Sequence, residues 1–172
     1  WVVEAEKRGL PNLRRSPEAL EQIVTPQSRK LFTSLGILTA EEVESRYHIR
    51  LERYIKDMLI EMHTLAEIAE TMVLPATHGY LAMLVNAAAA SKVAGVKVVP
   101  QVEAANAIGR LVADLQKASG ALHAAIEKAE GMHDSPAKQA RFLTSTGADT
   151  MADVRTSSDS LELKVDDARW PL

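Results

Sequence analysis

Residues 39–75 read TAEEVESRYHIRLERYIKDMLIEMHTLAEIAETMVLP, and this stretch decides the fold class. It opens on Thr39-x-x-Glu42, a capping box in which each side chain can satisfy the other residue's orphan backbone N–H. Apolar or aromatic side chains then recur at Tyr47, Leu51, Tyr54, Met58, Met62, Leu65, Ala69 and Met72. Steps of three and four place them on one face of an α-helix. Pro75 lacks the backbone donor that a helix interior needs, so a kink or break is expected there. Helical character can resume through Ala90, and the stretch 95–100 around Gly95 and Pro100 reads as a connection.

Two further patterns follow downstream. From about Gln101 to Ala129 the stripe is Ala105, Ile108, Val112, Leu115, Ser119, Leu122, Ile126 and Ala129, with Gly131 as a stop. Asp134-Ser135-Pro136 starts a third helix with its stripe at Met151, Val154, Ser158, Leu161, Val165 and Ala168. Gly147 weakens its middle, and Trp170-Pro171 ends it. A helix of roughly 30 residues is ~45 Å long, and short connections imply antiparallel neighbours. Burying one Leu of such a seam contributes roughly 2 kcal/mol, so stripes of this length hold helices together. The expected fold is all-α: about three long antiparallel helices, the first kinked near Pro75.

Upstream, residues 1–38 carry shorter signals. Val2 to Arg8 predicts a short helix stopped by Gly9 and Pro11. Ser16-Pro17-Glu18 reads as an N-cap, a proline at the first helical position and an acid in the first turn. Thr25-Pro26 repeats that signal, and Gly36 stops the helix it starts.

Composition agrees with helices. The chain has 172 residues, 47% of them hydrophobic but only 4% aromatic, with Ala and Leu prominent. Twenty basic and 23 acidic residues leave a net charge of −3, too little field to attract nucleic acid or anionic lipid. Cysteine is absent, which removes disulfides, thiolate metal sites and a cysteine nucleophile. The most apolar stretch, Tyr80 to Ala90, is about half of the ~20 residues of a membrane span, so a cytoplasmic protein is the expectation. A chain that begins at Trp1 reads as a piece of a longer polypeptide.

Candidates for chemistry are sparse. The sequence holds no Gly-rich phosphate loop and no H-E-x-x-H zinc helix. His48 sits between Glu44 and Glu52 at helical spacing, but Arg46, Arg50 and Arg53 are interleaved, as on a solvated charged face. His63 and Glu67 form a similar pair. Glu130-x-x-His133 matches one copy of the motif of di-iron bundles, which need two copies and two more carboxylates. It is the sole basis for reading the chain as a stand-alone metalloenzyme. Met58, Met62 and Met72 read as core filler. No catalytic, cofactor-binding or metal residue is assigned.

Leu10-Pro11-Asn12-Leu13 followed by Glu18-Ala19-Leu20 resembles the closing pattern of glutamine synthetase catalytic domains. The run from Trp1 to Leu13, the run from Glu44 to Lys56, Glu61-Met62 and Met72 to Ala76 resemble the type III branch more narrowly. Met151 to Arg155, Asp159 to Glu162 and Trp170-Pro171 resemble that branch's closing segment, which a short tail usually follows. The resemblance implies that residues 1–38 are the end of a catalytic-domain-like region and residues 39–172 a C-terminal helical bundle. It implies a parent ligase that joins glutamate and ammonia using ATP and Mg²⁺ or Mn²⁺, in glutamine biosynthesis and nitrogen metabolism. It further implies a homo-oligomer, a double hexameric ring in the full-length enzyme. The catalytic domain of the same chain would be a partner, packed against residues 1–60. The fragment itself, with no cofactor and no activity of its own, would serve packing and assembly. The alternative is a ligand-sensing or partner-binding bundle, whose candidate surfaces are the Arg46/Arg50/Arg53 face and the Tyr80–Ala90 stretch.

Overall fold

The computed structural model describes residues 1–97 and 99–171, and among these it holds helices and no strand. Val98, within the connection expected at 95–100, and the chain end at Leu172 lie outside the described residues. The helices are α1 (Val2–Lys7), α2 (Ser16–Glu21), α3 (Pro26–Ser34), α4 (Ala40–Ile68), α5 (Leu74–Val93), α6 (Val99–Glu130), α7 (Pro136–Phe142) and α8 (Ala148–Glu162). The chain divides into two compact units, Trp1–Leu59 with Ala129–Ser145, and Ile60–Lys128 with Thr146–Leu172.

Local chemistry sets the boundaries. At the start of α4 the capping box is formed: the Glu42 N–H donates to Thr39 Oγ1 at 3.2 Å, and the Thr39 N–H donates to Glu42 Oε2 at 2.8 Å. Thr25 caps α3 through the Ser28 N–H at 3.3 Å. Gly36 closes α3 at φ +64°, a conformation that costs glycine nothing, and the Ile37 N–H returns to the Phe32 carbonyl at 3.0 Å. The expected N-cap of α2 shifts by one residue. Ser16 is already helical, Arg15 is the cap, and no side chain satisfies the first turn.

The first unit packs the N-terminal end of α4 against α7 and the short helices. Val43, Tyr47, Leu51 and Ile55 are buried on α4, and Ala140 on α7 and Leu143 just after it are buried too. Thr144 is the polar hinge of this unit. Its hydroxyl donates to the Ala140 carbonyl at 2.8 Å, so the Tyr54 hydroxyl, 2.6 Å away, donates to it. The Arg15 guanidinium donates to the Thr144 carbonyl. Buried Gln139 reaches from α7 to the Ala129 carbonyl at 3.0 Å, where α6 is about to end.

The second unit contains Pro75, and here the expected kink takes a definite form. The backbone stays helical through the proline, with Val73 and Leu74 at φ/ψ −69°/−50° and −60°/−46°. Ala69–Val73, immediately before it, is a π-helical turn. A π turn holds one residue more than an α turn and breaks the i→i−4 ladder locally, which gives the proline ring room. Thr77 then donates its hydroxyl to the Val73 and Leu74 carbonyls, both at 2.9 Å. The extra residue also moves the stripe: after Ala69 the next buried position is Val73, and Met72, expected inside, is exposed.

Met62, Ala66, Ala69, Val73 and Thr77 form the inner face of this helical run. All eight positions expected on the α6 stripe, from Ala105 to Ala129, are buried. The two runs are antiparallel in this unit. Glu70 meets Ser119 and His123, whereas Leu81 and Val85, about three and four turns further on, line a cleft with Ala105 and Gly109. Small residues at 66, 69, 105 and 125 let the backbones approach. The third helix is shorter than its pattern suggests. A second π turn at Leu143–Gly147 precedes α8, which ends at Glu162. Val165 is buried from the following loop, and Ala168 is exposed in a 3₁₀ turn, Asp167–Arg169. Without the helical turn the expected period no longer applies.

One polar clasp crosses the antiparallel pair. Glu70 Oε1 accepts from the Ser119 hydroxyl at 2.8 Å and lies 2.7 Å from His123 Nε2. The Ser119 hydrogen bond, then that of His123, holds the Glu70 carboxyl below its ordinary value of 4.5. A lowered folded-state value means that the clasp stabilises the chain above the ordinary carboxylate range. That contribution is lost as pH falls through the folded value. Glu70 and His123 are 44% and 47% exposed, so solvent screening keeps the effect small.

Two outcomes are expected from urea unfolding. Leu122→Ala, at a fully buried seam position, should cost about 3 kcal/mol, whereas Leu163→Ala, at an 83% exposed site, should stay within about 0.5 kcal/mol. Glu70→Gln should flatten the acid limb of stability against pH below about pH 5 relative to the parent chain.

Candidate functional site

Of the candidates from the sequence, His48 and Glu44 are brought together, at ion-pair distance. Glu44 is held by two partners, the Arg29 guanidinium and His48, whose Nε2 lies 3.2 Å from Glu44 Oε1. The His48 ring also stacks edge-on against Tyr47, with centroids 5.3 Å apart. Arg29, which was not singled out from the sequence, reaches this acid because α3 folds back beside α4, a tertiary contact that helical spacing cannot report. Arg53 pairs with Asp57 one turn on, at 3.5 Å, and Arg46 and Arg50 are exposed, as on a solvated face. His63 and Glu67 are exposed on α4. His133 lies past the end of α6, with Nδ1 3.3 Å from the Glu130 carbonyl oxygen and Nε2 3.4 Å from Asp134. It therefore meets the backbone of Glu130. Among the described residues, no group of three His, Asp or Glu side chains is arranged to hold a metal ion.

The Glu70 clasp contains a hydroxyl, an imidazole and a carboxylate, but not in the order of a serine–histidine–acid triad. Ser119 and His123 both contact Glu70 Oε1, so the acid lies between the hydroxyl and the imidazole. In a triad the imidazole takes the hydroxyl proton and the acid orients the imidazole. In the first unit, burial and then the Glu21 carboxylate raise the Tyr47 phenol above its ordinary value, leaving it protonated. Glu21 bonds the Arg141 guanidinium at 3.1 and 2.5 Å and raises that group too. These are structural ties.

Two features of the second unit do offer a surface. The first is α5, which is rich in apolar side chains although Thr77 is the one residue fully buried on it. Val85 is about half exposed, and Val93, Val96, Val99 and Val102 are exposed beyond it. From Thr71 to Val102 there is no acidic residue. An 18-residue window within Ala40–Val93 meets the length and composition of a membrane span, with 22% of it buried. The apolar run is therefore longer than Tyr80–Ala90 alone suggested. Core helices of soluble proteins meet the same criterion, so it assigns no location by itself.

The second feature is a cavity of about 430 Å³ between Leu65–Val73 and α8, with Trp170 and Pro171 also in its lining. Met72 and Met151 supply flexible apolar walls, and Arg155, Ser158, Asp159 and Glu162 bring polar groups to it. The sequence reading assigned Met72 and Met151 to seams and read Trp170-Pro171 as a terminator. The π turn at Ala69–Val73 turns Met72 off the buried face, and the end of α8 at Glu162 frees Trp170 to fold back.

Relatives carry the assignment that the geometry alone does not. A family model described as the glutamine synthetase C-terminal domain matches residues 1–92. A type-3 glutamine synthetase from Dictyostelium discoideum is 33% identical over 178 residues, covering 100% of this chain and 24% of that protein. A glutamine synthetase from Bacteroides fragilis is 26% identical over 185 residues, with the same coverage of 100% and 24%. A glutamine synthetase from Butyrivibrio fibrisolvens is 49% identical over 67 residues, which are 39% of this chain and 10% of that protein. The chain thus spans about a quarter or less of the curated relatives it matches. It matches a type-3 enzyme along its whole length, and it belongs to the glutamine synthetase C-terminal domain family.

Proposed function

We propose that this chain is a non-catalytic C-terminal module of a type III glutamine synthetase and that it serves packing and oligomer assembly. In this reading the whole enzyme joins glutamate and ammonia with ATP in the cytoplasm. ATP and Mg²⁺ or Mn²⁺ bind in the part of the enzyme that precedes this chain, and the chain contributes no catalytic residue. Its partners are the catalytic domain of the same polypeptide and other subunits of a homo-oligomer, with neither nucleic acid nor membrane among them.

The observation that carries the assembly role is the uncovered apolar arm. α5 offers Met83, Val85 and Val93 to solvent, and α6 begins with exposed Val99 and Val102. Exposed apolar side chains in this number favour an interaction site over a free surface. The 32 residues from Thr71 to Val102 include Lys92 and Lys97 but no acid, so few charges would need to be desolvated on docking. The helical seams inside the second unit close without these side chains, which leaves the arm available to a partner.

The test uses the full-length enzyme. Val85→Glu with Val93→Glu places two charges on the arm without touching a buried position. The expected result is a smaller species in sedimentation velocity, with helical circular dichroism unchanged. An unaltered sedimentation coefficient together with unaltered activity would contradict the assembly role.

A further inference from the structure

We infer that the cavity between Leu65–Val73 and α8 is a binding site for a small amine with an apolar body, an alkyl or aryl ammonium. This goes beyond the assembly role and does not depend on it.

Three observations converge. The cavity, about 430 Å³, is in the range of small-ligand sites and is walled mainly by apolar side chains, with Met72, Met151 and the Trp170 ring among its lining. Methionine adapts to an irregular guest, and an indole face attracts a cation. The polar part of the lining is acidic in net charge. Arg155 is paired with Asp159 at 3.6 Å, which leaves the Glu162 carboxylate as the uncompensated charge. Lys164, past the helix end, does not line the cavity.

The position of that carboxylate on α8 is the third. Glu162 is the last residue of the 15-residue helix, and the last turn contains no basic side chain. Unsatisfied carbonyls give a helix C-terminus partial negative charge, so an acid there raises the local negative potential. A cation at this end relieves both. Ser158 adds a hydroxyl to the same wall. Thr156 and Ser160 on α8 bond back to the carbonyls of Ala152 and Thr156, each at 2.8 Å, whereas the Ser158 hydroxyl has no such bond among the described residues. It is free to accept from an ammonium. An apolar body in the Met72/Met151/Trp170 pocket would thus place its charged head at Ser158 and Glu162.

The chain reports on this directly, since Trp170 lines the cavity and the other tryptophan, Trp1, is 80% exposed. Hexylamine and its neutral counterpart hexan-1-ol are titrated into the full chain carrying Trp1→Phe, with Trp170 fluorescence as the readout. A saturable change is expected for both, with hexylamine bound about fivefold more tightly, the scale of an exposed ion pair. Glu162→Gln should abolish that preference, and Ala152→Phe, which fills the cavity from an exposed position on α8 and leaves Trp170 the sole tryptophan, should abolish both responses. If Ala152→Phe loses helical circular dichroism, the Glu162→Gln comparison decides. The proposal is overturned if neither probe gives a saturable change, if the amine and the alcohol bind equally to the parent chain, or if binding survives Ala152→Phe in a folded protein.

Discussion

A proline in the middle of a long helix is the constraint around which the second unit is organised. Pro75 can neither donate to the carbonyl one turn back nor tolerate that carbonyl in its α position. The π turn at Ala69–Val73 absorbs the conflict, and helical geometry continues into α5. Because the run is not broken, Met62, Ala66, Ala69, Val73 and Thr77 remain one face. That face is the seam on which α6 lies antiparallel. The Glu70 clasp, on the same π turn, reaches Ser119 and His123 only because the two runs keep their register.

The same turn fixes what is left outside. It moves Val73 inward and Met72 outward, which gives the cavity beside α8 one of its walls. Beyond it, α5 continues with Leu81 and Leu84 only half-buried and with Met83, Val85 and Val93 exposed. Exposed apolar side chains on one helix are the surface from which the assembly role is proposed.

Much of the fold was legible because helical periodicity is a local signal. The α6 stripe is the clearest case, with all eight positions buried, and the capping box at Thr39 and Glu42 formed as its residue types require. What was not legible depends on breaks in that period. The π turns at Ala69–Val73 and Leu143–Gly147 each add a residue, and no composition cue marks the one before Pro75 beyond the proline itself. The overlong third pattern failed because Val165 is buried from a loop, where apolarity persists without a helix. The cavity was invisible for a different reason. Its walls come from segments about 80 residues apart in sequence, and Trp170 joins them only after the chain turns at the end of α8. The pairing of Arg29 with Glu44 is non-local in the same way.

Native-state amide hydrogen exchange along Ala40–Val93 tests the central claim most directly. A helical run that passes through Pro75 predicts slow exchange from Leu65 to Tyr80 with no gap at Ala76–His78, giving way to faster exchange from Val85 onward, where the helix is uncovered. Unprotected amides at Ala76–Tyr80 beside protected ones at Leu65–Ile68 would mean that the helix ends at the proline, and the seam described above would not exist.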